Sequence, residues 1–120
     1  MPSQQRHVRA AAENEELARA LLSTGLSPSW AVVLAFYAAL HWVDAFLATS
    51  GIHAQSHDER GRYVLRVQQL RPIHVHYRTL ESRLRDARYN LRDFSDQEAD
   101  HLLAGELADI KSHVEQLLGL

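Results

Sequence analysis

The fold is decided by the stretch Trp30-Ala-Val-Val-Leu-Ala-Phe-Tyr37-Ala-Ala-Leu-His41-Trp-Val-Asp44. A helix that is apolar on nearly every side is normally the buried centre of a domain. Three polar side chains interrupt this one at helical spacing, which puts Tyr37, His41 and Asp44 on one face. Each of them needs a hydrogen-bond partner when it is buried. We expect those partners to be one another, water, a neighbouring helix or a ligand.

The composition is that of one folded domain. The chain has 120 residues, of which 46% are hydrophobic. This length supplies a single core but not two, so we expect one domain over residues 1–120. The chain has no cysteine, which excludes disulfides, zinc-thiolate sites and thiol catalysis.

The apolar stretches favour neither a signal peptide nor a membrane span. The N-terminal segment Met1–Arg9 lacks the apolar region of a signal peptide. The run Trp30–Leu40 spans 11 residues before His41 interrupts it, and Asp44 follows soon after, so a core helix is favoured over a membrane span. We therefore expect a cytoplasmic protein that does not enter a membrane.

Capping residues divide the rest of the chain into further helices. A first helix over roughly residues 4–24 is closed by glycine. Ser27-Pro28 supplies an N-cap and a proline at the first position of the central helix, and Gly51 stands where its C-terminal cap is needed. Ser56-His-Asp-Glu59 has the form of a capping box, which predicts a short third helix.

Two more amphipathic helices are predicted in the second half. Pro72 ends the third helix and starts a fourth, and Ser95-Asp-Gln-Glu98 opens a fifth with a second capping box. No stretch alternates with period two, so we expect no strands. The apolar positions alternate in steps of four and three, with Ile73, Tyr77, Leu80, Leu84, Ala87 and Leu91 on the fourth helix and Leu103, Leu107, Ile110, Val114 and Leu117 on the fifth. The predicted fold class is all-α, an antiparallel bundle of four main helices plus one short helix.

Charge is divided unevenly along the chain, although the net charge is only −2. Nine arginines accompany two acids between residues 60 and 92, whereas seven acids accompany one lysine between 93 and 120. The split suggests a surface for a polyanion, a basic face that meets an acidic one in a dimer, or solvated helices with local ion pairs. Four arginines on one flank of the fourth helix are candidates for binding phosphate, namely Arg78, Arg85, Arg88 and Arg92.

Eight histidines make metal binding an alternative to consider. His74 and His76 are two residues apart on a predicted helix, so they point away from each other and cannot share an ion. Folding could bring together His41, Asp44 and His57, whose imidazole and carboxylate groups suit zinc or iron. Because the sequence has neither a His-Glu-x-x-His motif nor paired Glu-x-x-His motifs, we expect no bound metal and no cofactor.

Four short motifs follow one another between residues 27 and 92. They are Phe36-Tyr37-Ala-Ala-Leu-His41 in the apolar helix, then Ser56-His57, then Tyr77 with Leu80, and finally Arg88-Tyr89. Their order and spacing resemble those of HEPN-domain proteins. The resemblance implies a compact helical bundle that forms a homodimer and binds or cleaves RNA. It also implies a bacterial toxin–antitoxin or defence system, in which a cognate antitoxin or another protein is the partner.

The resemblance also implies catalytic residues. Active members carry an arginine followed, after four to six residues, by a histidine; the match here is Arg71-Pro72-Ile-His-Val-His76, in which proline replaces the usual polar residue. A second constellation is His57 and Arg60, one helical turn apart, facing His41 and Tyr37. We favour the second because several polar groups converge there. In either one, a histidine would accept the ribose 2′-OH proton and an arginine would stabilise charge on phosphorus.

We therefore predict a homodimeric HEPN-like bundle that binds RNA or cleaves it without a metal ion. The alternative is a non-catalytic helical module that dimerises or binds a partner through its basic and acidic faces. A third interpretation is a metal-binding or small-ligand bundle built around His41.

Overall fold

The predicted capping residues begin the helices of the computed structural model, which describes residues 2–120. The Ser27 hydroxyl accepts a hydrogen bond from the Trp30 backbone N–H at 3.2 Å, and Ser56 accepts one from Glu59 at 3.1 Å. Ser95 forms a complete capping box, in which the Glu98 side chain also returns to the Ser95 backbone. These caps satisfy backbone N–H groups that have no partner inside a helix.

The regular structure of the described residues is entirely helical, which confirms the predicted all-α class. The helices are α1 (Gln4–Ser23), α2 (Pro28–Ala48), α3 (His57–Arg66), α4 (His74–Arg88), α5 (Asp96–His101) and α6 (Ala108–Leu118). A 3-10 segment (Gln68–Ile73) precedes α4, and a π-helical segment (Leu102–Leu107) joins α5 to α6.

Helix α2 lies at the centre of the fold, as its sequence predicts. Twelve of its 21 residues are buried, and it packs against α1, α4 and the helices that end the chain. By length and composition α2 could also cross a membrane, but 67% of its most apolar stretch is buried inside the bundle, as in the core helix of a globular domain. Around it, the predicted apolar positions Ile73, Tyr77, Leu80, Leu84, Leu103, Leu107, Ile110 and Val114 are all buried.

The predicted limits of the fourth helix are wrong at both ends. Pro72 lies inside the 3-10 segment, and α4 begins two residues later at His74. At the other end the chain leaves the helix after Arg88, and the Arg92 N–H returns to the Asp86 carbonyl. Leu91 consequently has a positive φ of 53° and is 84% exposed, so it does not extend the apolar face.

The predicted fifth helix is not one regular α-helix. It begins at the expected capping box but passes through the π-helical segment before continuing as α6. The segment carries Gly105, which is a poor helix former, and Glu106, which pairs with His76 of α4. The regular spacing of the apolar residues gave no sign of this change.

Candidate functional site

Two imidazoles from different helices meet beside the core. The Nδ1 atoms of His7 on α1 and His41 on α2 lie 3.1 Å apart. His7 is buried because it lies on the face of α1 that also buries Ala11 and Ala18. At this distance one Nδ1 can donate to the other when both rings are neutral.

Asp44, one turn beyond His41, completes this group and connects it to α3. Its Oδ1 accepts a hydrogen bond from Arg60 Nε at 2.8 Å. Arg60 is only 8% exposed, so the pair places both charges where water offers little compensation. One nitrogen from each of His7 and His41 and one oxygen from Asp44 all lie within 4.8 Å of one another. We call these three residues the His7 cluster.

Burial controls the protonation of the His7 cluster. It lowers the pKa of His7 and of His41 below the ordinary 6.5, with Asp44 opposing the shift and Arg60 adding to it. Burial also acts against the charge of Arg60, but the hydrogen bond and the negative charge of Asp44 outweigh it and raise the Arg60 pKa. At neutral pH the cluster therefore consists of two neutral imidazoles beside a buried ion pair.

Arg60 also approaches His57 and Tyr77. Its Nη1 lies 3.5 Å from His57 Nδ1, at the long limit of a hydrogen bond. The Tyr77 hydroxyl is buried near this guanidinium and has no well-oriented hydrogen bond among residues 2–120. Burial is the main reason that the pKa of Tyr77 is raised. Phe36 packs against both rings, with its centroid 5.6 Å from that of His57 and 5.5 Å from that of Tyr77.

The constellation favoured from the sequence is brought together in part. His57 and Arg60 are neighbours, and Arg60 pairs with Asp44, whose carboxylate lies within 4.8 Å of a nitrogen of His41. Tyr37 is not joined to them by a hydrogen bond. It is half-buried, its ring centroid is 5.8 Å from that of Phe36, and its hydroxyl has no hydrogen bond to His41 within the described part of the chain. The polar face of α2 therefore finds its partners on α1 and α3.

The other predicted pair, Arg71 and His76, has separate partners. Arg71 Nε donates to the Leu65 carbonyl at 3.3 Å. His76 Nδ1 lies 2.6 Å from a carboxylate oxygen of Glu106, and its Nε2 lies 3.4 Å from Asp109. Both nitrogens of His76 thus face the C-terminal helices, and the structure does not bring this histidine to Arg71.

The predicted row of arginines is divided by its acidic neighbours. The carboxylate of Glu81 lies 3.8 Å from Arg78 and 3.9 Å from Arg85. Glu81 is buried and stands between the two arginines in sequence. Arg88 lies over the ring of Tyr89, 5.6 Å from its centroid. Among the four arginines of the predicted row, Arg88 alone has no carboxylate within 4 Å in the described part of the chain.

Arg92 does not belong to the row, because α4 ends at Arg88. It pairs instead with Asp86 at 3.3 Å and with Glu98 at 2.7 Å. The pKa of Glu98 is lowered mainly by its hydrogen bond from the Ser95 backbone N–H and, to a smaller extent, by its hydrogen bond from Arg92. Arg92 thus has one partner, Asp86, in the arginine-rich segment and one, Glu98, in the acidic segment that follows it.

A groove beside α3 brings one predicted catalytic residue to one predicted phosphate-binding residue. It has a volume of about 220 Å³ and is lined by His57, Arg62 and Arg78, together with Asp58 and Glu81. We call it the His57 groove. His57 and both arginines are exposed there, so an anionic ligand can reach them.

A second cavity, of about 230 Å³, opens onto the His7 cluster. Its walls include His7 and Asp44, and the loop before α3 contributes His53 and Gln55. We call it the His7 cavity.

The sequence did not single out His7 or Arg62. His7 lies on the first helix, whose apolar pattern is the weakest, and only its spacing of four and eleven residues from Ala11 and Ala18 indicates that it faces the core. Arg62 could not be chosen from the many arginines without knowing which of them line a groove with His57.

A scan against protein-family models finds no match for this chain, and a search of curated proteins finds none either. The HEPN resemblance therefore rests on the motifs quoted from the sequence and remains a prediction.

Proposed function

We propose that this protein binds RNA and cleaves it without a metal ion, with His57 as the general base in the His57 groove. The observation that carries the proposal is the presence of His57, Arg62 and Arg78 on the walls of one open groove. Arginine recognises phosphate through paired hydrogen bonds, and imidazole exchanges protons near neutral pH.

In the proposed reaction, a nitrogen of His57 accepts the proton of a ribose 2′-OH. The 2′-oxygen then attacks the adjacent phosphorus, and the bond to the 5′-oxygen breaks to leave a 2′,3′-cyclic phosphate. Water or a second acid protonates the departing 5′-oxygen. Arg62 and Arg78 hold the phosphate and offset its developing charge. The 3.5 Å contact with Arg60 is too long to fix the tautomer of His57.

The test is cleavage of a single-stranded RNA oligonucleotide by the purified protein in EDTA. We expect cyclic-phosphate ends from the wild type and a rate at least about 100-fold lower for His57→Gln, because a general base contributes on that order. His101→Gln is the matched control, since His101 is also exposed but lies on α5. Unchanged cleavage by His57→Gln would exclude His57 as the base. No cleavage by the wild type would exclude the enzymatic part of the proposal.

A second candidate function is a non-catalytic module that dimerises or binds a partner protein, such as a cognate antitoxin. The observation that favours it is the engagement of Arg78, Arg85 and Arg92 by carboxylates of the same chain, which reduces the charge left for a substrate. Absence of RNA cleavage, together with absence of RNA binding measured by fluorescence anisotropy, would select this function.

We also propose that the protein forms a homodimer, as the HEPN resemblance implies. Trp30 is 56% exposed and shares a cavity with Arg88. The exposed Tyr89 and Leu91 follow in sequence, before the chain returns to Ser29 on α2. A group of large exposed apolar side chains is typical of an interaction surface.

Light scattering coupled to size exclusion tests the homodimer. We expect a dimer for the wild type and a monomer for Trp30→Glu. Leu17→Glu is the matched control, because Leu17 is similarly exposed, at 52%, but lies on α1. A dimer that survives Trp30→Glu would place the interface elsewhere.

A further inference from the structure

We propose that the His7 cluster is a binding site for a divalent transition-metal ion, with Zn²⁺ as the best match. The site would use His7 from α1 together with His41 and Asp44 from α2. This proposal differs from the sequence-based expectation of no bound metal. Its ligands also differ from the set considered from the sequence, in which His57 stood in place of His7.

The distance between the two imidazoles fits a shared ion. Zinc–nitrogen bonds are about 2.0–2.1 Å long, so two nitrogens of a tetrahedral site lie about 3.3 Å apart. The Nδ1 atoms of His7 and His41 are separated by 3.1 Å. A carboxylate oxygen of Asp44 lies within 4.8 Å of one nitrogen of each ring, so it would have to approach by at most about 1.5 Å to reach the spacing of a tetrahedral site.

The chemistry of the donors selects the class of ion. Two imidazoles and one carboxylate suit zinc and its first-row neighbours, whereas calcium and magnesium prefer sites made of oxygen.

The surroundings supply access and support. The His7 cavity gives an ion and its water a route to the cluster, and His53 on its wall offers a further nitrogen. Arg60 holds Oδ1 of Asp44 at 2.8 Å and so orients the carboxylate, as groups around metal ligands commonly do. Its positive charge also opposes the ion, so we expect weaker affinity than at a closed structural zinc site.

A bound ion would join α1 to α2, because the ligands come from both helices. An ion that binds only the folded chain stabilises it, and the stabilisation grows with the logarithm of the ion concentration. The site is independent of the proposed RNA cleavage, which is measured in EDTA, so either proposal can fail without the other.

Calorimetric titration of EDTA-stripped, dialysed protein with Zn²⁺ tests the proposal. We expect one Zn²⁺ per chain, and more than about tenfold weaker binding by His7→Gln and by His41→Gln, since even residues that only support ligands are worth 10- to 100-fold. His101→Gln should bind like the wild type. The melting temperature should rise with Zn²⁺ for the wild type but not for the two ligand variants.

A titration of the wild-type chain with paramagnetic Co²⁺, followed by NMR, gives a result that does not depend on the folding of any variant. We expect the ring signals of His7 and His41 to broaden first. First broadening at other histidines would overturn the proposal. Absence of saturable Zn²⁺ binding would also overturn the proposal, and so would an unchanged Zn²⁺ affinity in both His7→Gln and His41→Gln. In either case the role of His7 and His41 would be limited to the hydrogen bond between them.

Discussion

The His7 cluster and the His57 groove use the same kinds of side chain in opposite surroundings. In the cluster, one buried and one half-buried imidazole and an ion pair contact fixed partners on neighbouring helices. In the groove, an exposed imidazole stands beside exposed arginines. Arg60 connects the two regions, with Nε on Asp44 and Nη1 near His57. Burial makes polar partners necessary for stability, whereas exposure leaves them available to a ligand.

Removing the carboxylate of the cluster should have the largest effect on stability. Asp44→Ala leaves the Arg60 charge buried without its partner, and we expect a loss of about 3 kcal/mol in the free energy of unfolding. The measurement is urea denaturation in EDTA, followed by circular dichroism.

Glu15→Ala is the control for this substitution. Glu15 also has two basic partners, Arg19 and Lys111, but both are exposed, so we expect a loss of at most about 1 kcal/mol. Equal losses for the two variants would show that burial does not distinguish the Asp44 pair from a surface pair.

Acidification should destabilise the cluster without any substitution. The folded-state pKa values of His7 and His41 are lowered, so between those values and 6.5 the unfolded chain binds more protons. Their contribution is therefore fully present above pH 6.5 and is lost as the pH falls below it. Asp44 opposes this loss, whereas His53 and Arg60, which also influence His7, add to it.

The free energy of unfolding in EDTA, measured at about pH 7.5 and about pH 5.5, tests this dependence, because this range spans the ordinary titration of histidine. His41→Gln should reduce the difference between the two values, and His101→Gln should not. A difference that His41→Gln leaves intact would assign the pH dependence to other groups.

The contrast between the two regions also explains what could be predicted from sequence. Caps and apolar spacing are local, so the helix starts at Pro28 and Asp96 and the central position of α2 followed from the residues themselves. The exit of the chain from α4 at Arg88 did not, because Leu91 continues the apolar spacing although it adopts a positive φ. The π-helical segment also left no mark on that spacing.

For the site, the sequence indicated polar residues but not which of them would meet. The proximity of His57 to Arg60 followed from their separation of one turn on a helix. The contact of His7 with His41 joins residues 34 positions apart, and depends on how α1 packs against α2. Helical periodicity gives the face of a residue but not the neighbour of that face.

In the His57 groove, loss of an arginine should weaken RNA binding but leave stability almost unchanged. For Arg78→Gln we expect a change in unfolding free energy within about 0.5 kcal/mol, as for most surface substitutions. The slope of log affinity against log salt should fall in magnitude by about 0.7, the value for one phosphate contact on a single strand. Fluorescence anisotropy with a labelled RNA oligonucleotide gives this slope.

Arg9→Gln is the control for charge alone, because Arg9 is exposed on α1 and does not line the groove. If both variants reduce the slope equally, RNA binding reflects the overall charge of the protein and not the groove.

A small stability effect, and the one that separates a structural ring from a functional one, is expected at His57. Its ring packs at 67° to Phe36, with centroids 5.6 Å apart, and such edge-to-face pairs are worth about 0.5–1.5 kcal/mol. Because His57 is exposed, we expect His57→Ala to lose about 0.5 kcal/mol, at the lower end of that range. His57→Phe keeps the aromatic contact and should unfold like the wild type, but it has no nitrogen to accept a proton and should not cleave RNA. If His57→Phe retained cleavage, the ring would serve only to pack against Phe36, and the groove would lose its proposed base.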